Sequence, residues 1–486
     1  MESPARAALL LAVTLGLSGC FDSQKDETFE DTVVPDDVAM RVLHAVPDAP
    51  ALRLEADGDV PVDKLEYGKV TTVDLPAHDY RFQAQGYTGG EAPAPLLDTL
   101  EANLSEDRRH DVLLMGSLQD DNVRALVLDQ DDDPFEPEEE AEEGDGETGN
   151  SDSEEEDEPE GNVRLRLAHL VPEAGAVDLY LKADVSGDPD ATLASGQASD
   201  AIRVEEGVYQ LTITPADSSE VIYQSDPSLG WESGDDVLLA VTPATGVLAS
   251  NDSELSLIEV DGNQTQRLPG QAQAAELAFV NASGSAVDLT TEDGALSRTG
   301  VGSIQAEPAE GYLGVESRHY PIDFVAGNQG CDYCYDIRLG QGKAGTLVLR
   351  QLPSASSESA VASFLTHDAR PVATNARLRI ANALSANQVP VDLYLIESGC
   401  NASGSLPEDG IIPEPLVSNL DYPNRSSMLP VPEGNYQLVV TAQGNPANEF
   451  LCESITPEKR SIHELILAQE PGSNNPLELV RVGGVR

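Results

Sequence analysis

Five cysteines, seven histidines and a large excess of carboxylates are the residues of this chain that could do chemistry. Cys331 and Cys334, in Cys-Asp-Tyr-Cys, have the spacing of a redox pair, which works when the first thiol opens a helix. Here they lie between the strand-like segments 322–325 and 335–338, so a structural disulfide closing a loop is expected. Three pairings of Cys331, Cys334, Cys400 and Cys452 are open. Cys400 and Cys452 fall in the same C-terminal stretch, where a bond would pin a long insertion to a strand. That favours Cys400–Cys452 with Cys331–Cys334. A zinc site made of all four would need distant segments to converge.

The histidines stand at 44, 78, 110, 169, 319, 367 and 463, and no two have the spacing of a metal site on one helix or strand. The chain is read as lacking a Gly-x-Ser-x-Gly elbow and a phosphate-binding glycine loop. A carboxylate pair for glycoside hydrolysis could be concealed among 86 acids, but nothing singles one out. Only Trp231 is there to stack on a sugar. Asp129, Asp131, Asp133 and Glu140 fall at calcium-loop positions. Pro134, however, stands where that loop needs Gly, and no helical pattern flanks it. The expectation is no catalytic residue, no metal ligand set and no cofactor.

The elements that would position such residues are strands. Residues 165–182 read LRLAHLVPEAGAVDLYLK, with Leu165 and Leu167 apolar, Arg164 and Arg166 polar, and a second alternating run from Val177. Period-two alternation predicts half-buried strands. The chain repeats this stretch. RVLHAVPDAP from Arg41 puts His44 where His169 stands, and Asn281 and Asn382 occupy the same place in two later copies. Asp178, Asp288 and Asp392 recur on the outward face of the following strand, with Arg53 in the first copy. A second mark follows, a turn into Tyr80, Tyr209, Tyr312 and Tyr436. A third is an apolar hairpin beginning near 111, 236, 346 and 465. Three marks in one order, four times over, are an internal repeat. His44 and His169 are expected to hydrogen-bond within their loops, and the aspartates to bond nearby turns. Calcium ligation between modules by those aspartates is the alternative.

RVLHAVPDAP, the Val-Asp-Leu-Tyr strand and the Pro-x-Gly-x-Tyr turn resemble the bacterial domain-of-unknown-function 4397 family, seen in tandem in secreted and surface-anchored proteins. The resemblance covers most of residues 41–484. It is best in the second and fourth copies, and weaker in the third, where Thr290 replaces Tyr. It implies β-sandwich modules and brings no activity with it.

A chain of 486 residues has room for three or four domains. Copies of this length suit immunoglobulin-like sandwiches. The fold expected is all-β, tandem immunoglobulin-like β-sandwich modules with a disordered acidic linker. In order, residues 1–19 read as a signal peptide, with Arg6 ahead of a short apolar core. Leu-Ser-Gly-Cys20 resembles a bacterial lipobox, which implies acylation of Cys20. Residues 20–39 form an acidic tether and 40–128 the first repeat. Segment 129–161 follows; of residues 129–160, 19 are acidic, too many to offset ordering entropy. Repeats at 162–261, 274–370 and 375–486 complete the chain. The short joints after the second and third repeats predict a semi-rigid rod, from which the acidic segment separates repeat one.

The net charge is −58, from 86 acidic and 28 basic residues. Such a surface repels nucleic acid. With arginine favoured over lysine, it resembles proteins of salt-loving bacteria. The expected protein is non-enzymatic: a structural, adhesive or binding lipoprotein of the cell envelope. Phe21 after the cysteine points to the outer membrane of a Gram-negative bacterium. Its partners would be the membrane, through the lipid, and an envelope protein or glycan. A small-ligand or calcium-binding subunit is the alternative, with weak calcium binding, and a hydrolase comes last.

Overall fold

A computed structural model describes residues 37–88, 93–105, 108–131, 163–172, 174–225, 229–246, 255–309, 311–327, 329–351, 361–384, 390–397, 399–400, 413–469 and 477–482. The expected signal peptide, Cys20, most of the expected tether and nearly all of the acidic segment lie outside these residues. The described chain is all-β, with no helix among the described residues.

One topology occurs four times. In module 1 the first strand, Asp37–His44, lies between Val70–Pro76 and Arg108–Met115, and Arg124–Asp131 completes that sheet. The second sheet runs Asp59–Leu65, Leu52–Ala56, His78–Gly86, Ala94–Leu104. The first strand pairs in parallel with the start of the terminal hairpin, Met40 opposite His110. The same parallel pairing joins Val163–His169 to Asp236–Pro243, Ala275–Asn281 to Ala344–Gln351, and Ala376–Asn382 to Ile462–Ala468. Parallel neighbours need a long crossover, here the whole second sheet, so each module closes on itself. Module 2 adds Gln264–Pro269 to its sheet, which carries it beyond Asp261.

Alternation explains the inner cores. Met40 and Val42 point into module 1, Leu165 and Leu167 into module 2, Leu277 and Phe279 into module 3, and Leu378 and Ile380 into module 4. The opposite faces of these strands are also buried. Leu43, Ala45, Leu113 and Met115 of module 1 pack on Ala168, Leu170, Leu238, Ala240, Ile258 and Val260 of module 2. Ala278, Val280 and Val348 of module 3 pack on Ala381, Ile462 and Ile466 of module 4. The modules are therefore joined back to back as 1 on 2 and 3 on 4, through the sheets that hold the first strands.

This corrects the rod, and the isolation of repeat one. End-to-end stacking would leave the sheets facing water. Here each has a mostly apolar outer face that a neighbour covers, and the acidic segment joins two modules that touch. The polar residues of these faces are paired. Arg41 and Asp111 are a buried two-point ion pair in module 1, and Arg41 Nη1 also donates to the Gly262 carbonyl of module 2 at 3.3 Å. Arg109 crosses the seam to Asp236. In the other seam Arg379 pairs with Glu464, and Thr346 of module 3 bonds the same carboxylate.

Candidate functional site

The recurrent polar residues are bound into the backbone. Nε2 of His44 donates to the Pro50 carbonyl at 2.9 Å, and Nδ1 accepts from Val46 N–H at 3.3 Å. That network fixes a neutral ring with its proton on Nε2. Burial, aided by Arg370, lowers the pKa of His44 to about 3. His169 bonds the Gly175 carbonyl at 3.2 Å and is shifted down by burial as well. Asn281 and Asn382 keep the acceptor half of the device, the amide oxygen accepting from the N–H two residues on. The amide nitrogen of Asn281 donates to the Ser285 and Val301 carbonyls, and that of Asn382 to the Leu420 carbonyl of an edge strand. His and Asn can replace each other here because both offer one donor and one acceptor, although in His169 only Nε2 is bonded and the buried Nδ1 has no partner.

The aspartates are placed alike. Asp178 Oδ2 accepts from Asp217 N–H and Oδ1 from the Thr192 hydroxyl. Asp392 accepts from Asn419 N–H and Gly444 N–H, both at 2.8 Å. Asp288, the exposed member, accepts from Gly300 N–H at 2.6 Å. Asp178 and Asp392 sit on the outer face yet are buried, holding a hairpin turn and an edge strand. Among the described residues, no three His, Cys, Asp or Glu side chains gather closely enough to hold a metal. Of the calcium-loop positions, Asp129 meets His110 at 2.9 Å, while Asp133 and Glu140 lie outside the described residues.

Tyr80, Tyr209 and Tyr436 occupy one register, five residues before the partner of Arg53, Asp178 and Asp392. The third copy differs from expectation. Its registered residue is Tyr320, because Asp288 pairs Val325, and Tyr312 instead lies in the seam with module 4. The hydroxyls of Tyr209 and Tyr320 both donate to the carbonyl four residues upstream, at 2.7 and 2.8 Å. Such a bond pins a turn to the strand it enters. The third copy carries a Gly-Tyr dipeptide in the turn and its tyrosine eight residues later, so the motif alone misplaced it.

Cys331 is bonded to Cys334 and Cys400 to Cys452. The first bond closes an irregularity in the strand Gln329–Leu339, away from any helix. The second ties the insertion, residues 398–426, to Asn445–Ile455, and positions 398 and 401–412 of it lie outside the described residues.

Two side-chain pairs have the makings of catalysis. The Ser461 hydroxyl meets His463 Nε2 at 2.8 Å, but Ser461 is fully buried and donates to the Glu458 carbonyl at 2.6 Å. It therefore accepts from the histidine, the reverse of what a nucleophile needs. Burial raises the pKa of Glu259, which accepts from Trp231 Nε1 at 2.7 Å. Trp231 is 4 % exposed and covered by Tyr209, with ring centroids 4.8 Å apart, so its face is closed to a sugar.

Contrary to expectation, a phosphate-loop glycine spacing does occur. Gly340, Gly342 and Gly345 have the Gly-x-Gly-x-x-Gly spacing. They turn into the strand Ala344–Gln351 and open no helix, so the backbone cannot form a phosphate cradle of that kind. Gly345 is needed because a Cβ there would lie 2.1 Å from the Phe364 ring.

The remaining candidate is the place where all four modules meet. Tyr67 of module 1 lies under two guanidiniums, Arg370 at 4.6 Å and Arg267 of module 2 at 5.2 Å from its ring centre. Gly68 (φ +70°) lets the Arg267 stem pass, since a Cβ would stand 3.1 Å from its Cδ. Arg370 donates to the Pro47 and Ala49 carbonyls, both at 2.6 Å, and Arg377 of module 4 reaches Asp368 at 2.9 Å. Desolvation would raise the Asp368 pKa, but Arg377, Arg370 and Arg267 outweigh it and hold the carboxyl below the usual range, although 38 % of its side chain stays exposed. Beside this junction opens a cleft of about 340 Å³, lined by Pro50, Lys64, Tyr87, Arg370, Arg377 and Met428 among others. No motif pointed to it, because its residues come from separate modules.

A family model described as a domain of unknown function (DUF4397) matches residues 38–141, which is module 1 and the start of the acidic segment. No curated protein matches the chain. Among solved structures it is similar to "The Bacillus anthracis TIE protein", at 8 % identity over 90 % of this chain and 69 % of that one. The TM-score of 0.13 is too low for that likeness to carry any argument.

Proposed function

We propose that this chain is a lipid-anchored, non-catalytic protein of the cell envelope, held at a membrane through Cys20 and presenting its four modules as a compact platform for a protein or glycan partner. The observation that carries the reading is the employment of the interior polar groups. His44, His169, Asp178, Asp392, Ser461 and the Arg41–Asp111 pair all hold backbone or one another. A catalytic group needs a free side in a pocket. The sheets that carry the first strands are spent on the seams, so the loops, the edge strands and the outer sheets are left for recognition. The lipobox and the acidic surface support the address.

Growth with a clickable fatty acid tests the anchor: the wild-type chain should take the label and Cys20→Ala should not. An unlabelled wild-type chain sinks that half. For the other half, the purified chain should turn over nothing on an esterase, glycosidase and peptidase panel, while a glycan and envelope-protein array should show saturable binding. Turnover that survives repurification sinks it.

A further inference from the structure

In a chain with 86 acidic and 28 basic residues, basic side chains gather at the four-module junction. There the electrostatic neighbours of Arg370 are Asp368, Arg377, Tyr67 and Arg267, so three guanidiniums share one carboxylate. Lys343 stands close enough to feel Arg267 and Asp368, and it forms no ion pair among the described residues. Cations confined together are costly unless an anion joins them. Two buried donors also lack a hydrogen-bond partner, Nε of Arg370 and the Tyr67 hydroxyl. Arg370 Nε is 3.6 Å from Asp368 Oδ2, too far to be satisfied. Arg370 is 3 % exposed, and with Arg377, Asn375 and Lys64 it lines the adjoining cleft.

We propose that this cleft is a binding site for a small oxyanion of the phosphate or sulfate class, seated on Arg370 and Arg377 with Lys64 at its mouth. Planar guanidiniums present paired donors that match such oxygens. The carboxylates on the rim are already engaged: Asp63 accepts from the Tyr87 hydroxyl at 2.8 Å, and Glu66 meets Lys64 at 3.3 Å. Because module 1 and the start of module 4 both line the cleft, the anion would tie the two pairs of modules together. The inference stands apart from the envelope reading and survives its failure.

Calorimetry on the full-length chain, with sodium phosphate and sodium sulfate at constant ionic strength, tests it. One saturable site is expected for at least one of them. Arg377→Gln should weaken binding about tenfold or more, since a charge-assisted bond is lost. Asp63→Asn removes a negative rim charge and should tighten binding, an effect that misfolding cannot imitate. Arg81→Gln, on an exposed pair with Glu101, should change nothing. The proposal is overturned by absence of saturable uptake of both anions, by unchanged affinity in Asp63→Asn, or by an equal loss in Arg81→Gln.

Discussion

Arg41 Nε and Nη2 meet the two oxygens of Asp111 at 2.7 and 2.8 Å, on neighbouring parallel strands and out of reach of water. The pair stands at the seam between module 1 and module 2, where Arg41 also reaches the Gly262 carbonyl and Arg166 lies within electrostatic reach of Asp111. Removing one member leaves a buried charge alone, which costs about 3–5 kcal/mol, whereas replacing both by apolar residues can be neutral. Asp111→Ala should therefore lower the unfolding midpoint sharply, and Arg41→Met with Asp111→Leu should recover most of it. Urea unfolding of the three proteins decides; equal losses in single and double variants would contradict the pairing.

His44 makes stability depend on pH. Its folded pKa is about 3, against about 6.5 for an unfolded histidine, so between those values the unfolded chain holds the extra proton. Stability contributed at neutral pH is thus lost as pH falls through that window, by about 2 kcal/mol at pH 5. Asn does the same work in modules 3 and 4, so His44→Asn should keep the bonds and lose the titration. Unfolding at pH 7 and pH 5 should show a smaller acid penalty in the variant than in the wild type. Identical penalties would rule out a neutral buried ring.

The seam between modules 1 and 2 makes their covalent connection dispensable once they are folded. With a protease site placed within residues 141–150, the cut chain should elute from gel filtration as one species of unchanged size. Leu238→Glu, which puts a charge among Leu43, Leu113 and Ile258, should let the pieces separate. Separation of the unmodified pieces would restore the picture of independent beads.

The two disulfides should differ in weight. Cys400 and Cys452 are 52 residues apart, a loop whose closure entropy is worth about 4 kcal/mol, and the three-residue spacing of Cys331 and Cys334 gives under about 2 kcal/mol. Cys400→Ser with Cys452→Ser should therefore lower the melting temperature more than Cys331→Ser with Cys334→Ser. Calorimetric scans of both variants compare them directly, and the reverse order would count against the loop argument.

Which residues share a face is legible in the order of residue types. Met40 with Val42, and Leu165 with Leu167, alternate with arginines and could only point one way in a strand. That order also determined the repeat, and the equivalence of His44 and His169 with Asn281 and Asn382, because one hydrogen-bonding job recurs at one offset. What covers a face was decided by the tertiary structure alone. Arg164 read as the polar side of its strand and is nonetheless buried, since period two reports sidedness and says nothing about a neighbour arriving from elsewhere in the chain. Tyr320 took the place assigned to Tyr312 because register is set by strand pairing, which a local motif does not encode. The cleft at Arg370 draws on residues from positions 50 to 430, and only folding makes them neighbours.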